Sequence, residues 1–120
     1  KLGHITTFGG HPVNCSASLA CLEHLLSSNL MQEINKKENL FRKYLSHPKI
    51  KEIRGNGLML SVEFENEKLA EKVVNQSLED GVILFYFLFT KTAIRITPPL
   101  TISEDEIFKG CQIITNVLKD

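Results

Sequence analysis

The chain is 120 residues long, 42% hydrophobic and 23% charged, with 14 basic and 14 acidic side chains that sum to zero. That length suits one domain with a real core, and the balance excludes a disordered tail and argues against a nucleic-acid partner, which calls for a basic surface. No apolar run reaches the roughly 20 residues a membrane span needs, and no signal peptide is present.

From Leu2 to Leu22 there is no Lys, Arg, Asp or Glu. Inside that stretch Thr6-Thr7-Phe8-Gly9-Gly10 runs into His11-Pro12 and then a helical pattern. Paired glycines permit a tight bend, and Pro12 suits the first helical position. Hydroxyls, a bend and a helix N-terminus make a place for an anion such as phosphate. On residues alone the reading is plainer: a turn before a buried helix. That helix runs to about Ser28, with Cys15, Leu19, Leu22 and Leu26 at helical spacing.

Asn29 and Gln32 have the spacing of a weak capping box and open a second helix. Its apolar face is Met31, Ile34, Phe41 and Leu45; Lys36, Lys37 and Lys43 read as a solvated face. His47-Pro48 ends it. Ile50–Arg54 is a short strand, Gly55 and Gly57 bracket a turn, and Leu58, Leu60, Val62 and Phe64 alternate along a half-buried strand. Asn66 caps a helix that Gly81 stops. Val82–Phe89 reads as a continuous apolar strand, buried on both faces or against a neighbour outside the chain. Ala93–Thr97 is a returning strand that Pro98-Pro99 must end. Ser103 and Glu106 form a capping box for a last helix buried along Ile107, Cys111, Ile114 and Leu118. The sum is an α+β layer: two leading helices, then a small mostly antiparallel sheet with helices packed on it.

Cys15, Cys21 and Cys111 are an odd number without metal-ligand spacing, and read as small core residues in a reducing compartment, the cytoplasm. His11 and Cys15 stand at i, i+4, but two residues without further ligands carry no metal site. His4, His24 and His47 read as surface or core-filling residues. Arg54 reads as an exposed strand-end charge. Arg95 lies between Ile94 and Ile96, so it faces away from the core if they face inward; without its Pro-Pro-Leu context it reads as a surface arginine on an edge strand.

Three segments in order resemble the class III aminotransferases, pyridoxal-phosphate enzymes of fold type I: Thr7-Phe8-Gly9-Gly10-His11-Pro12, Arg54-Gly55-Asn56-Gly57-Leu58-Met59, and Ile94-Arg95-Ile96-Thr97-Pro98-Pro99-Leu100-Thr101-Ile102. The resemblance, acetylornithine/ornithine aminotransferase-like, implies amino-group transfer between an amino acid or amine and a 2-oxo acid. It implies that Arg95 binds the substrate α-carboxylate. It further implies that Thr7 reaches the cofactor phosphate of a neighbouring subunit in a homodimer, with Phe8, Gly9 and Gly10 shaping that contact. The glycines of the Arg54 segment would form a backbone turn near the substrate entrance. His11 departs from the family asparagine, which puts the local hydrogen bonding in question. In the family the cofactor lysine lies upstream of the first segment, so residues 1–28 read as that segment with a connecting helix and 29–120 as the small C-terminal domain of a longer enzyme. The absence of an initial methionine agrees. The same scaffold serves aminomutases and decarboxylase-like relatives, and a non-catalytic ligand-binding module is the remaining alternative.

Overall fold

The computed structural model describes Gly3 and residues 5–119, so the expectation for His4 lies outside the described residues. The chain divides into two units, residues 1–32 and 33–120.

In the first unit, helix α1 spans Pro12–Ser27, with Pro12 in its opening turn. Ser28 closes it by donating its backbone N–H to the His24 carbonyl at 3.1 Å. The helix forms where the apolar spacing places it, but no residue of it is buried. Leu19, Leu22 and Leu26 are all more than half exposed, and His24 is exposed. The expected buried helix is therefore corrected. Its apolar residues are spread around the axis instead of gathered on one stripe.

Helix α2, Leu30–Tyr44, opens directly after Asn29. In the second unit follow β1 (Ile50–Asn56), β2 (Met59–Phe64), α3 (Glu67–Glu79), β3 (Phe85–Tyr86), β4 (Ala93–Ile96) and α4 (Glu104–Lys119). The four strands form one antiparallel sheet in the order β1-β2-β4-β3. The α+β architecture expected from the pattern is the one observed.

Local signals set most of these boundaries. The Asn66 side chain accepts the Leu69 N–H at 3.0 Å and starts α3. Ser103 and Glu106 bond reciprocally, Ser103 N–H to Glu106 Oε2 at 2.8 Å and Glu106 N–H to Ser103 Oγ at 3.2 Å. The Ser103 N–H, then the Ser103 hydroxyl at 2.8 Å, both donated to Oε2, hold the Glu106 carboxyl below its usual value. Leu58, Leu60, Val62 and Phe64 all point into the core, while Met59 is exposed. They pack with Phe41 of α2 and Leu45 just beyond it, Val73 of α3, and Ile107, Ile114 and Leu118 of α4.

Three expectations are corrected. Val82–Phe89 is not a doubly buried strand: only Phe85 and Tyr86 join the ladder, at the sheet edge, and Leu88 and Phe89 are almost fully exposed. An apolar run supplies a strand only as far as a partner supplies hydrogen bonds, and β4 offers two residues. Lys37 is not on a solvated face but 5% exposed, donating from Nζ to the Leu100 carbonyl at 2.7 Å and pairing with Glu33 at 3.1 Å. Met31, placed on the apolar face, is mostly exposed.

The cysteines split the same way. Cys111 is buried in α4, and burial pushes its thiol up to about 12. Cys15 and Cys21 are exposed, against the expectation that they fill the core. A thiol reagent such as DTNB is therefore expected to modify Cys15 and Cys21 of the native chain within minutes, and Cys111 only after unfolding. Equal rates at all three thiols would contradict this packing.

Candidate active site

Arg95 occupies an interior strand, not the sheet edge: β4 lies between β2 and β3. Ile94 and Ile96 are buried on the helix-covered face, and alternation turns Arg95 to the other. Opposite it stand Ser61 on β2 and Phe85 on β3. Its guanidinium carbon lies 5.6 Å from the Phe85 ring centre and 5.9 Å from that of Phe87. Aromatic faces hold a guanidinium by its flat side and leave its N–H edge for a planar acceptor. Among the described residues no carboxylate pairs with Arg95. A cleft of about 310 Å³ reaches it, lined also by Phe85, Ile96 and Pro98 and, from the helices, by Phe41, Glu106 and Ile114.

The chain after Arg95 is fixed from two directions. Pro98 and Pro99 stiffen it, and the buried Lys37 ammonium holds the Leu100 carbonyl. The Ile102 N–H adds a bond to the Pro99 carbonyl at 3.0 Å.

The Arg54-Gly55-Asn56-Gly57 turn is clamped by α2. Glu38 accepts the Gly57 N–H at 2.6 Å through one oxygen and Arg42 Nε at 2.9 Å through the other. Arg42 in turn donates to the carbonyls of Ile53 at 2.7 Å and Gly55 at 2.9 Å. The Arg42 hydrogen bond, then the Gly57 amide, hold the Glu38 carboxyl below its usual value. A carboxyl depressed on folding stabilises the fold above the ordinary carboxylate range, and that contribution is lost as pH falls through the depressed value. Glu38→Gln is expected to lower stability by about 1–2 kcal/mol at neutral pH. Urea titrations from pH 7 to pH 3 check the sign: the gap between wild type and variant should close in acid, and a constant gap would assign the loss to packing.

The Thr7–Gly10 turn lies in the first unit and is exposed throughout. Gly9 donates to the Thr6 carbonyl at 3.3 Å, and His11 to the Phe8 carbonyl at 3.2 Å. A Cβ on Gly9 would collide with Thr6 Oγ1, so the first threonine is folded over the glycine. The Thr7 hydroxyl, by contrast, has no hydrogen-bond partner among the described residues. His11, in place of asparagine, sits at the helix N-cap without a side-chain cap bond, and Asn14 reaches the Phe8 carbonyl at 3.4 Å instead.

These donors fit a phosphate. The exposed Thr7 hydroxyl and the start of α1 offer hydrogens, while the Gly9 and His11 amides are spent within the turn, and the first turn of α1 carries no acidic residue. The described residues hold no cluster of three or more His, Cys, Asp or Glu that would ligate a metal ion.

Sequence reasoning missed Lys37, Glu38, Arg42 and the aromatic pair Phe85 and Phe87. Glu38 with Arg42 and Glu33 with Lys37 stand at i, i+4, the local signals available.

The aminotransferase class-III family model matches residues 1–118. The acetylornithine aminotransferase of Haemophilus ducreyi is 36% identical over 120 residues, covering 100% of this chain and 30% of that protein. That of Caldanaerobacter subterraneus subsp. tengcongensis is 34% identical over 122 residues, covering 98% of this chain and 30% of that protein. Among solved structures, an aminotransferase of Bacillus anthracis superposes with a TM-score of 0.85 at 26% identity, covering 98% of this chain and 30% of that one. The chain thus spans about 30% of the length of the curated relatives it matches, and its fold is matched within the fold type I aminotransferases. With the family model covering nearly its whole length and the three family segments lying on the exposed turn, the clamped hairpin and the arginine strand, the chain belongs to the class III aminotransferases.

Proposed function

We propose that this chain serves an enzyme that moves an amino group between an amino acid or amine and a 2-oxo acid. Arg95 grips the substrate α-carboxylate with two N–H bonds. Thr7 donates to the phosphate of pyridoxal phosphate held by the neighbouring subunit of a homodimer, on a turn shaped by Phe8, Gly9 and Gly10. Pyridoxal phosphate, when bound, supplies an electron sink for the substrate's α-carbon. The lysine that carries the cofactor belongs, in this reading, to polypeptide beyond these 120 residues, in keeping with the share of the relatives' length that the chain spans. The enzyme works in the cytoplasm, where exposed thiols such as Cys15 and Cys21 stay reduced. Among the described residues no helix is long and apolar enough to cross a membrane.

One observation carries the reading: an exposed guanidinium, braced by two aromatic rings and without a carboxylate partner among the described residues, on the strand that ends in Pro-Pro-Leu. The 120-residue chain assayed with pyridoxal phosphate, an amino donor and a 2-oxo acid should show no turnover. The full-length gene product should show it, with the visible absorbance of the bound cofactor. Turnover by the 120 residues alone would overturn the external lysine, and an inactive, colourless full-length protein would overturn the enzyme.

A further inference from the structure

We infer that Arg54 is a positioning residue that keeps Glu63 off Arg95. The register carries the inference. Ser61 on β2 faces Arg54 on β1 and Arg95 on β4, so the three stand in one row on one face of the sheet. Two residues along, Glu63 faces Glu52 on β1 and Ala93 on β4. Glu63 is therefore the diagonal neighbour of both arginines. Diagonal neighbours have Cα atoms about 7–8 Å apart, within reach of long side chains. On the β1 side the reach is made: Arg54 Nη2 pairs with Glu63 Oε2. Thr92 Oγ1 stands 3.4 Å from the other Glu63 oxygen. On the β4 side it is not made, and Arg95 lies against Phe85 and Phe87.

One carboxylate thus stands between two guanidiniums, and the partition has a physical cause. Arg54 approaches a second acid, Glu52, at 3.6 Å, so β1 holds it among carboxylates. Glu63 is the more buried of the two, its side chain 27% exposed, and needs a cation more than Glu52 does at 61%. Without Arg54, the guanidinium next within its reach is Arg95. A carboxylate fixed on the adjacent strand competes with a dissolved one at high effective concentration. Arg54 thereby leaves the Arg95 edge open to an incoming carboxylate; that last consequence rests on the function proposed for Arg95.

The test separates the two. In the 120-residue chain, NMR reads the upfield ring-current shift that Phe85 and Phe87 impose on the Arg95 Nε–H proton. Arg54→Gln should diminish it as the guanidinium leaves the rings for Glu63, Arg54→Gln with Glu63→Gln should restore it, and Arg54→Lys should keep it. An unchanged shift in Arg54→Gln, or one the second substitution does not restore, overturns the inference. In the full-length enzyme, Arg54→Gln should raise KM for L-glutamate about fivefold with kcat retained and leave propylamine unaffected. The NMR pattern without that KM change would leave the Arg54 assignment standing and overturn the substrate role of Arg95.

Discussion

Arg95→Gln in the full-length enzyme is expected to lower kcat/KM for a carboxylate-bearing amino donor by about 100- to 1000-fold. Two charge-assisted hydrogen bonds from a guanidinium to a carboxylate, at about 1.5–2 kcal/mol each, contribute about 3–4 kcal/mol, and each 1.36 kcal/mol is a factor of ten. Glutamine keeps a single NH2 group and no charge. An amine donor without a carboxylate never used the contact, so its kcat/KM should change less than about threefold. The fold should survive, because Arg95 is exposed and the residues that hold β4 in the core are its neighbours Ile94 and Ile96. Arg95→Lys is a sharper comparison: it keeps the charge and loses the planar fork, and should recover only a small part of the loss. An equal fall for both donors would show that Arg95 supports the site's shape and does not bind the carboxylate.

The side on which Arg95 emerges was legible because strand alternation is a local property: Ile94 and Ile96 point inward, so the residue between them cannot. Caps were legible for the same reason. Asn66 and Ser103 find their partners within three residues. What was not legible depended on distant groups. Lys37 follows Lys36 in a run that looks solvated, yet its acceptor is the carbonyl of Leu100, 63 positions away. Glu38 and Arg42 showed their mutual spacing but not that they hold the hairpin turn. The exposure of α1 was hidden because apolar composition reports what a helix can bury, not what is present to cover it. Residues 85–89, Phe-Tyr-Phe-Leu-Phe, misled for a related reason: β-propensity is high along the run, but β4 pairs with only its first two residues.

Gly55→Ala is expected to cost at least about 3 kcal/mol of stability. Gly55 has φ +118°, a region that residues with a side chain rarely enter. A Cβ there would also press on the Met59 carbonyl oxygen and lie 3.0 Å from Leu60 Cα. Both obstacles are backbone, and neither can rotate away. Nor can the turn shift as a body: α2 holds it through Arg42 at the carbonyls of Ile53 and Gly55 and through Glu38 at the amide of Gly57. Gly57→Ala makes the contrast. Its φ of +61° is the ordinary left-handed region, and its added Cβ would meet only Ile34 Cγ2 at 2.8 Å, a side-chain methyl and not backbone. That change should cost about 1–2 kcal/mol. Urea unfolding of both variants, alone and combined with Glu38→Gln, measures the difference. If the clamp prevents relaxation, removing Glu38 should make Gly55→Ala less damaging than the sum of the two single losses. Equal costs for the two glycines would mean that the turn relaxes freely. The clamp would then not set the register of β1 against β2, and the alignment of Arg54, Ser61 and Arg95 in one row would depend on the strands' own pairing.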